Sequence, residues 1–222
     1  MKIVNGASRQ PLSGGPPRQI VLLLHGYGSK GADLIAFTPA WQQMLPDALF
    51  VAPNAPQAGG WRGGYQWFGL TGFSPAALAA GAASAAAPID AFIDRKLAQY
   101  GLTEADLAIV GFSQGTMMAL HVGLRRKEPV AAIVGYSGML TGAADLPHQR
   151  IAKPPVLLVH GSADQVVPVA AIHAAEHALK RAGVPVTAHV SPGVGHFVDP
   201  VGLRMGAQFV VDRFAKARVD SA

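Results

Sequence analysis

A serine between two glycines, Gly111-Phe112-Ser113-Gln114-Gly115, is the feature of this chain best suited to covalent chemistry. A serine hydroxyl is a poor nucleophile until a neighbouring base removes its proton, so the motif matters only if an imidazole, and a group to orient it, reach the same place. The glycines have a steric purpose. A sharp turn from strand into helix strains the serine backbone, and neighbours without Cβ atoms let the two elements approach closely. The context agrees: the apolar run Leu107 to Val110 precedes the motif, and Met117, Leu120, His121 and Leu124 follow at helical spacing. Such an elbow exposes the hydroxyl at the carboxyl end of a sheet, where ligands bind in open α/β folds. Taken alone, the pentapeptide favours catalysis only modestly over a small-residue turn whose serine caps a helix.

In folds with this elbow the acid and the histidine follow the serine in chain order. Asp164 lies in His160-Gly161-Ser162-Ala163-Asp164-Gln165-Val166-Val167-Pro168, directly after the apolar run Val156 to Val159. That position puts a carboxylate at the same sheet edge as Ser113; a capping or turn role before Pro168 is the competing reading. His196 lies in the glycine-rich Pro192-Gly193-Val194-Gly195-His196-Phe197 that follows Val186 to Val190. Imidazole, with an unperturbed pKa near 6.5, is suited to shuttling the proton. His25 and His160 each close a strand before a glycine and suit structural hydrogen bonding, while His121 sits on a helix and His189 in a strand. Asp199 is too close in sequence to His196 to orient it readily, and Asp145 is a weaker rival to Asp164.

Hydrolysis of an ester passes through a tetrahedral oxyanion that two preorganised N–H groups must receive. One comes from the residue after the nucleophile, Gln114, and the other from the loop after the first buried strand, here His25-Gly26-Tyr27-Gly28. Tyr27 is the expected donor, with Gly26 or Gly28 as alternatives. Loss of one such donor costs about 3 kcal/mol of transition-state stabilisation.

These loops need a scaffold. Short apolar runs at Ile20 to Leu24, Leu49 to Ala52, Leu107 to Val110, Ala131 to Val134 and Val156 to Val159 are continuous rather than alternating, as in parallel strands covered on both faces. Val186 to Val190 alternates with Thr187 and His189 and reads as a strand nearer an edge. Between the runs, Ile89, Phe92, Ile93 and Leu97, and later Leu203, Val210 and Phe214, repeat at helical spacing. The alternation predicts an α/β fold, a mostly parallel central sheet flanked by helices on both faces. Residues 1–19, polar and rich in Gly and Pro, read as a lead-in with at most a short strand, and residues 20–222 as a single catalytic domain.

Composition narrows the remaining classes. The chain has 222 residues, 50% of them apolar and 14% charged, with a mean hydropathy of +0.27, which favours a large core over disorder. No cysteine occurs, so disulfides, thiolate metal sites and a cysteine nucleophile are excluded. The net charge is +5, yet the tightest basic cluster, Arg125, Arg126 and Lys127, falls where the helix after Ser113 should end and meets its dipole. With no basic stripe, no nucleic-acid partner is expected. No charge occurs between Arg62 and Asp90, but the stretch is Ala- and Gly-rich and broken by Pro75 and Pro88. It reads as a loop followed by a packed helix, and no membrane span is expected. The first 19 residues lack the apolar run of a signal peptide, so a cytoplasmic location is the expectation. His173-Ala174-Ala175-Glu176-His177 spells an inverted zinc-protease pattern, but no glutamate follows Glu176 to complete a ligand set, and no metal or other cofactor is expected.

With these pieces in order, the chain resembles the phospholipase/carboxylesterase family of α/β-hydrolases, the group that includes the acyl-protein thioesterases. The resemblance runs from about Ile20 to Phe214 and rests on His25-Gly26-Tyr27-Gly28, Pro53-Asn54-Ala55-Pro56, Trp67-Phe68, the Ser113 elbow, Ser137-Gly138, the Asp164 loop ending at Pro168, and Gly195-His196. Gly69 stands where the family commonly has an acidic residue, and Ser29 where an Asp often follows the oxyanion turn. The resemblance implies an α/β-hydrolase fold without a large cap domain, and hydrolysis of carboxylic esters or thioesters, small molecules, without a cofactor. It also implies that Trp67 and Phe68 help form the acyl pocket.

Leu70, Phe73, Val166 and Phe197 are further candidates to line an acyl groove, with core packing as the alternative for Leu70, Phe73 and Val166. The expected reaction is hydrolysis of short- to medium-chain esters, with thioesters or lysophospholipids as variants. A non-catalytic binding protein on the same fold, a serine peptidase and a lipase are the competing functions. A monomer and a homodimer are both open to such a chain.

Overall fold

The computed structural model describes residues 3–59, 63–70, 72, 74–149 and 151–220. In chain order its elements are β1 (Val4–Arg9), β2 (Gln19–Leu24), α1 (Gly31–Ile35), α2 (Pro39–Met44), β3 (Ala48–Asn54), β4 (Gln57–Ala58), β5 (Tyr65–Gln66), α3 (Pro75–Tyr100), β6 (Leu107–Phe112), α4 (Gln114–Gly123), β7 (Ala132–Tyr136), β8 (Val156–Gly161), α5 (Ala170–Arg181), β9 (Val186–Ser191) and α6 (Pro200–Asp220).

Seven strands form one sheet in the order β1-β3-β2-β6-β7-β8-β9, parallel except for β1, which pairs antiparallel with β3. Residues 1–19 thus contribute an edge strand. Successive side chains of a strand face opposite sides of a sheet, and both sides are covered here, so β2 is buried at all six positions. Leu22, Leu24, Ile109 and Leu158 face the layer of α3, α4 and α5, while Val21, Leu23, Val110 and Val159 face that of α1, α2 and α6. β9, paired only with β8, is the partly exposed edge that its alternating pattern predicts.

Two helices carry most of the first layer. All ten residues of α4 are buried, which places the helix following Ser113 in the middle of the molecule. By length and composition α3, at 26 residues, could cross a membrane. It buries Leu78, Ala82, Ile89, Phe92, Ile93 and Leu97 in the core. Ser74 caps it by accepting the Ala77 N–H, Pro75 occupies its first turn, and Gly101 at φ 66° ends it in the left-handed conformation that glycine adopts without strain. Arg126 ties this helix down, reaching Asp90, Asp94 and Glu104 at 2.9, 2.5 and 3.0 Å, and Arg125 donates to the carbonyl of His121 in the last turn of α4. The two arginines of the basic cluster after α4 are therefore engaged within the molecule, in keeping with their place at a helix end, while Lys127 is exposed.

The chain leaves β2 toward β3 on one side and resumes at β6 on the other, so the loops after β2 and β6 diverge. Such a divergence opens a crevice at the carboxyl ends of the strands. The loops after β6, β8 and β9 carry Ser113, Asp164 and His196 to that same edge.

Candidate active site

Ser113 has φ 54° and ψ −117°, a region sparsely populated by residues with a Cβ and costing about 1–3 kcal/mol. Surrounding bonds hold it there. Its N–H donates to the Tyr136 carbonyl at 2.9 Å, and its own carbonyl accepts from Thr116 and Met117 at 2.9 and 3.3 Å. A Cβ on Gly115 would run into the Leu24 carbonyl, and one on Gly111 would lie 2.5 Å from the Thr116 nitrogen. Both glycines of the motif are thus demanded by backbone contact between strand and helix.

Asp164 sits just beyond β8, 8% exposed. Its Oδ1 accepts the N–H groups of Val166 and Val167, each at 2.9 Å, and its Oδ2 lies 2.8 Å from His196 Nδ1. Burial opposes ionisation of this carboxyl, but the hydrogen bonds from His196, Val167 and Val166 prevail and hold its pKa below the ordinary 3.8. His160 Nε2 lies 2.8 Å from the Val167 carbonyl and 3.3 Å from Asp164 Oδ2, closing the loop from below. A carboxylate that is ionised, buried and bonded on both oxygens suits orienting a histidine.

The acid and histidine loops are stitched together by Ala163 N–H to Val194 at 2.9 Å, Ser162 N–H to Ser191 at 3.0 Å and Gly193 N–H to the Ser162 hydroxyl at 2.8 Å. Any side chain at Gly161 would run into the Val194 carbonyl, so the histidine loop crosses directly over the end of β8. With Nδ1 engaged by Asp164, Nε2 is the nitrogen left to exchange a proton with substrate. The ring packs 5.0 Å from that of Phe112, the residue preceding Ser113. Asp199, the sequence-adjacent rival, accepts from the Ser191 hydroxyl and the N–H groups of Val201 and Gly202, and so caps α6 instead. Asp145 is exposed on a turn.

In the turn after β2, Gly28 donates to Tyr65 at 2.9 Å and Ser29 to Gly26 at 3.2 Å, whereas the Tyr27 N–H has no acceptor among the described residues. Gly28 is thereby removed as a donor, and Gly26 stays the alternative to Tyr27. His25, fully buried, braces the turn. Its Nε2 accepts the Ala55 N–H at 3.0 Å, which leaves the proton on Nδ1, 2.8 Å from the Gly26 carbonyl oxygen. Burial pushes its pKa below 6.5, against smaller opposing effects of the Gly26 carbonyl and Asp33, so it stays neutral.

Trp67 and Phe68, expected from the resemblance in the acyl pocket, are instead interior struts, 0% and 2% exposed. Trp67 Nε1 donates to the His25 carbonyl at 2.8 Å, the Trp67 N–H donates to Gln114 Oε1 at 3.0 Å, and Gln114 Nε2 donates to the Phe68 carbonyl at 2.8 Å. The dipeptide is drawn inward because its polar groups meet these partners there, and it links the β2 turn to the elbow. His25 thus has the structural hydrogen-bonding role that its place at the end of β2 suggests, whereas the bracing by Trp67 and the Gln114 side chain has no signal in the sequence beyond the Gln within the elbow. Leu70 is half-buried against the core, and Phe73 lies outside the described residues.

Two cavities lie on opposite faces of the sheet. The narrower, about 190 Å³, is bounded by Gly111 and Phe112 of the elbow and lies between the strands and α1, α2 and α6, and Phe197, 55% exposed, is part of its wall. The wider, about 890 Å³, lies between the start of α3, the segment 139–145 and α5, and Val166, 67% exposed, stands at its side. His173 and His177 are exposed on α5, where Glu176 pairs with Lys180 at 2.6 Å.

A strained serine at a strand–helix elbow, followed in order by a buried acid and a histidine bonded to it at one edge of a mostly parallel sheet, defines an α/β-hydrolase. The sequence pattern of the Phospholipase/Carboxylesterase family matches residues 12–212, and the chain belongs to that family. It is thus a serine hydrolase acting on carboxylic esters. It is 27% identical to Esterase YpfH of Escherichia coli over 204 residues, covering 89% of this chain and 82% of that protein. It is 27% identical to acyl-protein thioesterase 1 of Neurospora crassa over 215 residues, covering 88% and 87%. Among solved structures, esterase PE8 superposes with a TM-score of 0.90 at 42% identity, over 96% of this chain and 99% of that one.

Proposed function

We propose that Ser113, His196 and Asp164 are the catalytic triad of a carboxylesterase that hydrolyses short- to medium-chain esters through a covalent acyl-enzyme. Ser113 Oγ attacks the acyl carbonyl as His196 Nε2 takes its proton; Asp164 holds the imidazole tautomer and steadies the cation that forms. The N–H groups of Tyr27 and Gln114 receive the oxyanion. His196 then protonates the leaving alcohol, and water deacylates the enzyme with the same groups, so no cofactor is required. Thioesters and lysophospholipids, which present the same acyl carbonyl, are further substrates of this chemistry. The acyl-protein thioesterases among the relatives support that extension.

The observation that carries this reading is the 2.8 Å bond between His196 and Asp164 on loops stitched together beside the strained Ser113. The buried face of α3 supports a chain without a membrane span, and the pairing of β1 with β3 supports one domain built on residues 20–222 with residues 1–19 as its edge. A fluorophosphonate probe is expected to label the wild-type protein and not Ser113→Ala; no labelling of either would favour a non-catalytic binding protein. Rates over p-nitrophenyl esters from acetate to palmitate are expected to peak at short to medium chains, and a strict preference for palmitate would overturn that specificity.

A further inference from the structure

The narrow cavity is bounded by three segments of the site itself. Ser29 follows the oxyanion turn, Gly111 and Phe112 lead into Ser113, and Phe197 and Val198 follow His196. Its interior is strand and helix: Leu23, Val110 and Tyr136 from the sheet, Leu34 and Trp41 from α1 and α2, and Leu203 from α6. The two aromatic residues that are both lining and exposed, Phe37 at 46% and Phe197 at 55%, mark its mouth.

An ester held for attack on Ser113 has two halves, and the proposed chemistry decides which goes where. The leaving oxygen must lie against His196 Nε2 to receive its proton, so the alcohol half extends on the histidine side. Phe112, which packs against the His196 ring, and Phe197, the next residue along, both wall the narrow cavity. The acyl half is then left to the other side of Ser113; the wider cavity is walled in part by Val166 and Pro168 of the Asp164 loop. An enclosed apolar cavity of ~150 Å³ is sufficient for benzene, so about 190 Å³ accommodates one ring and excludes two fused ones. Trp41 adds a polar element. It is 3% exposed, lines this cavity, and its Nε1–H has no acceptor among the described residues. A buried donor without a partner is unfavourable, and an oxygen on the ligand would satisfy it.

We propose that this cavity is the leaving-group pocket, that it selects alcohols about one ring in size, that Trp41 Nε1 donates to an acceptor oxygen carried on the ring, and that the wider cavity takes the acyl half. The proposal rests on Ser113 being the nucleophile. The test uses acetate esters, so that the acyl-enzyme is common and kcat/KM reports the alcohol alone. Methyl, cyclohexyl, tetrahydropyran-4-yl and 2-decalinyl acetates are compared on the wild type and on Leu203→Trp, Leu34→Phe and Trp41→Phe. The expected order for the wild type is tetrahydropyranyl above cyclohexyl, with decalinyl at least about tenfold below cyclohexyl. Leu203→Trp, which fills the pocket, is expected to lower the cyclohexyl-to-methyl ratio by about tenfold, and Trp41→Phe to remove the tetrahydropyranyl advantage. Leu34→Phe repeats the filling from another wall in case Leu203→Trp does not fold. Decalinyl turned over as well as cyclohexyl, or a cyclohexyl-to-methyl ratio unmoved in a folded filled variant, would overturn the pocket. A tetrahydropyranyl preference absent from the wild type would overturn the role of Trp41. Failure of the nucleophile reading looks different: no acetate is hydrolysed and no fluorophosphonate label is taken up.

Discussion

The two cavities on opposite faces of the sheet differ in what walls them. The narrow one has a floor of strand residues, Leu23, Val110, Gly111, Phe112 and Tyr136, of which Val110, Gly111 and Tyr136 are paired in the ladder on both sides, and walls that include the large side chains of Leu34, Trp41 and Leu203. The wide one is bounded by the first turns of α3 and α5 and by the irregular segment Met139 to Asp145, with alanines at most of its helical positions. Rigid elements set a fixed volume, whereas helix ends and loops joined by alanine leave room that a few side chains can open or close. One face of the sheet is thus built to measure a substrate group and the other to tolerate it.

That contrast presupposes an active centre between the cavities, and the largest expected effect breaks the centre itself. Asp164→Asn retains the shape but presents an amide where His196 Nδ1–H needs an acceptor, favouring the wrong tautomer. A fall in kcat of about 10⁴-fold is expected, with little change in KM. Steady-state kinetics on a short-chain p-nitrophenyl ester measures this, and a loss under tenfold would mean that another group orients His196.

Trp67→Phe probes the brace between the β2 turn and the elbow. A smaller aromatic ring remains while the bond to the His25 carbonyl is lost, so the β2 turn and the elbow are no longer tied through that link. The Tyr27 and Gln114 donors should then drift from their best positions, at an expected cost of about 10²-fold in kcat, near that of losing a single oxyanion donor. If Trp67 instead contacted the acyl group, the change would appear in KM and vary with chain length.

A smaller effect sharpens the contrast directly. Ala171, half-buried on α5, lines the wide cavity, and Ala171→Trp is expected to lower kcat/KM for octanoate relative to acetate by about tenfold while leaving the ranking of alcohols intact. A change in alcohol ranking with no effect on acyl length would reverse the assignment of the two faces.

The centre was far more legible in the sequence than the cavities. Ser113 and Asp164 each follow a buried strand and His196 an edge strand, and all three stand near glycines, so pattern and chain order point to one edge of the sheet. The glycines carry that information because Gly111, Gly115 and Gly161 sit where backbones touch. The narrow cavity has no such signature, since its lining comes from single or adjacent residues of three strands and from helices and loops distant in sequence. Trp67 and Phe68 misled for a related reason: aromatic type indicates a capacity to line a pocket, while burial here is set by Gln114 and His25, 47 and 42 residues away.

Acid should separate the two faces by stability as well as by shape. His121 lies on α4, in the layer of α3 and α5, 8% exposed. Burial, aided by the Arg125 charge, lowers its pKa from 6.5 to about 4. The folded state therefore resists a proton that the unfolded chain accepts, so stability is complete above pH 6.5 and declines as the pH falls toward about 4. The loss in that window is on the order of 3 kcal/mol at most. Asp164, whose folded pKa is depressed, contributes in a different window: its stabilisation is present above 3.8 and is lost only as the pH falls below that value. Urea unfolding between pH 7 and 4 is expected to show a declining midpoint in the wild type and a flatter profile in His121→Gln, while Asp164→Asn retains the decline. An unchanged slope in His121→Gln would show that the α4 side carries no buried neutral histidine, and that acid does not distinguish the tolerant face from the measuring one.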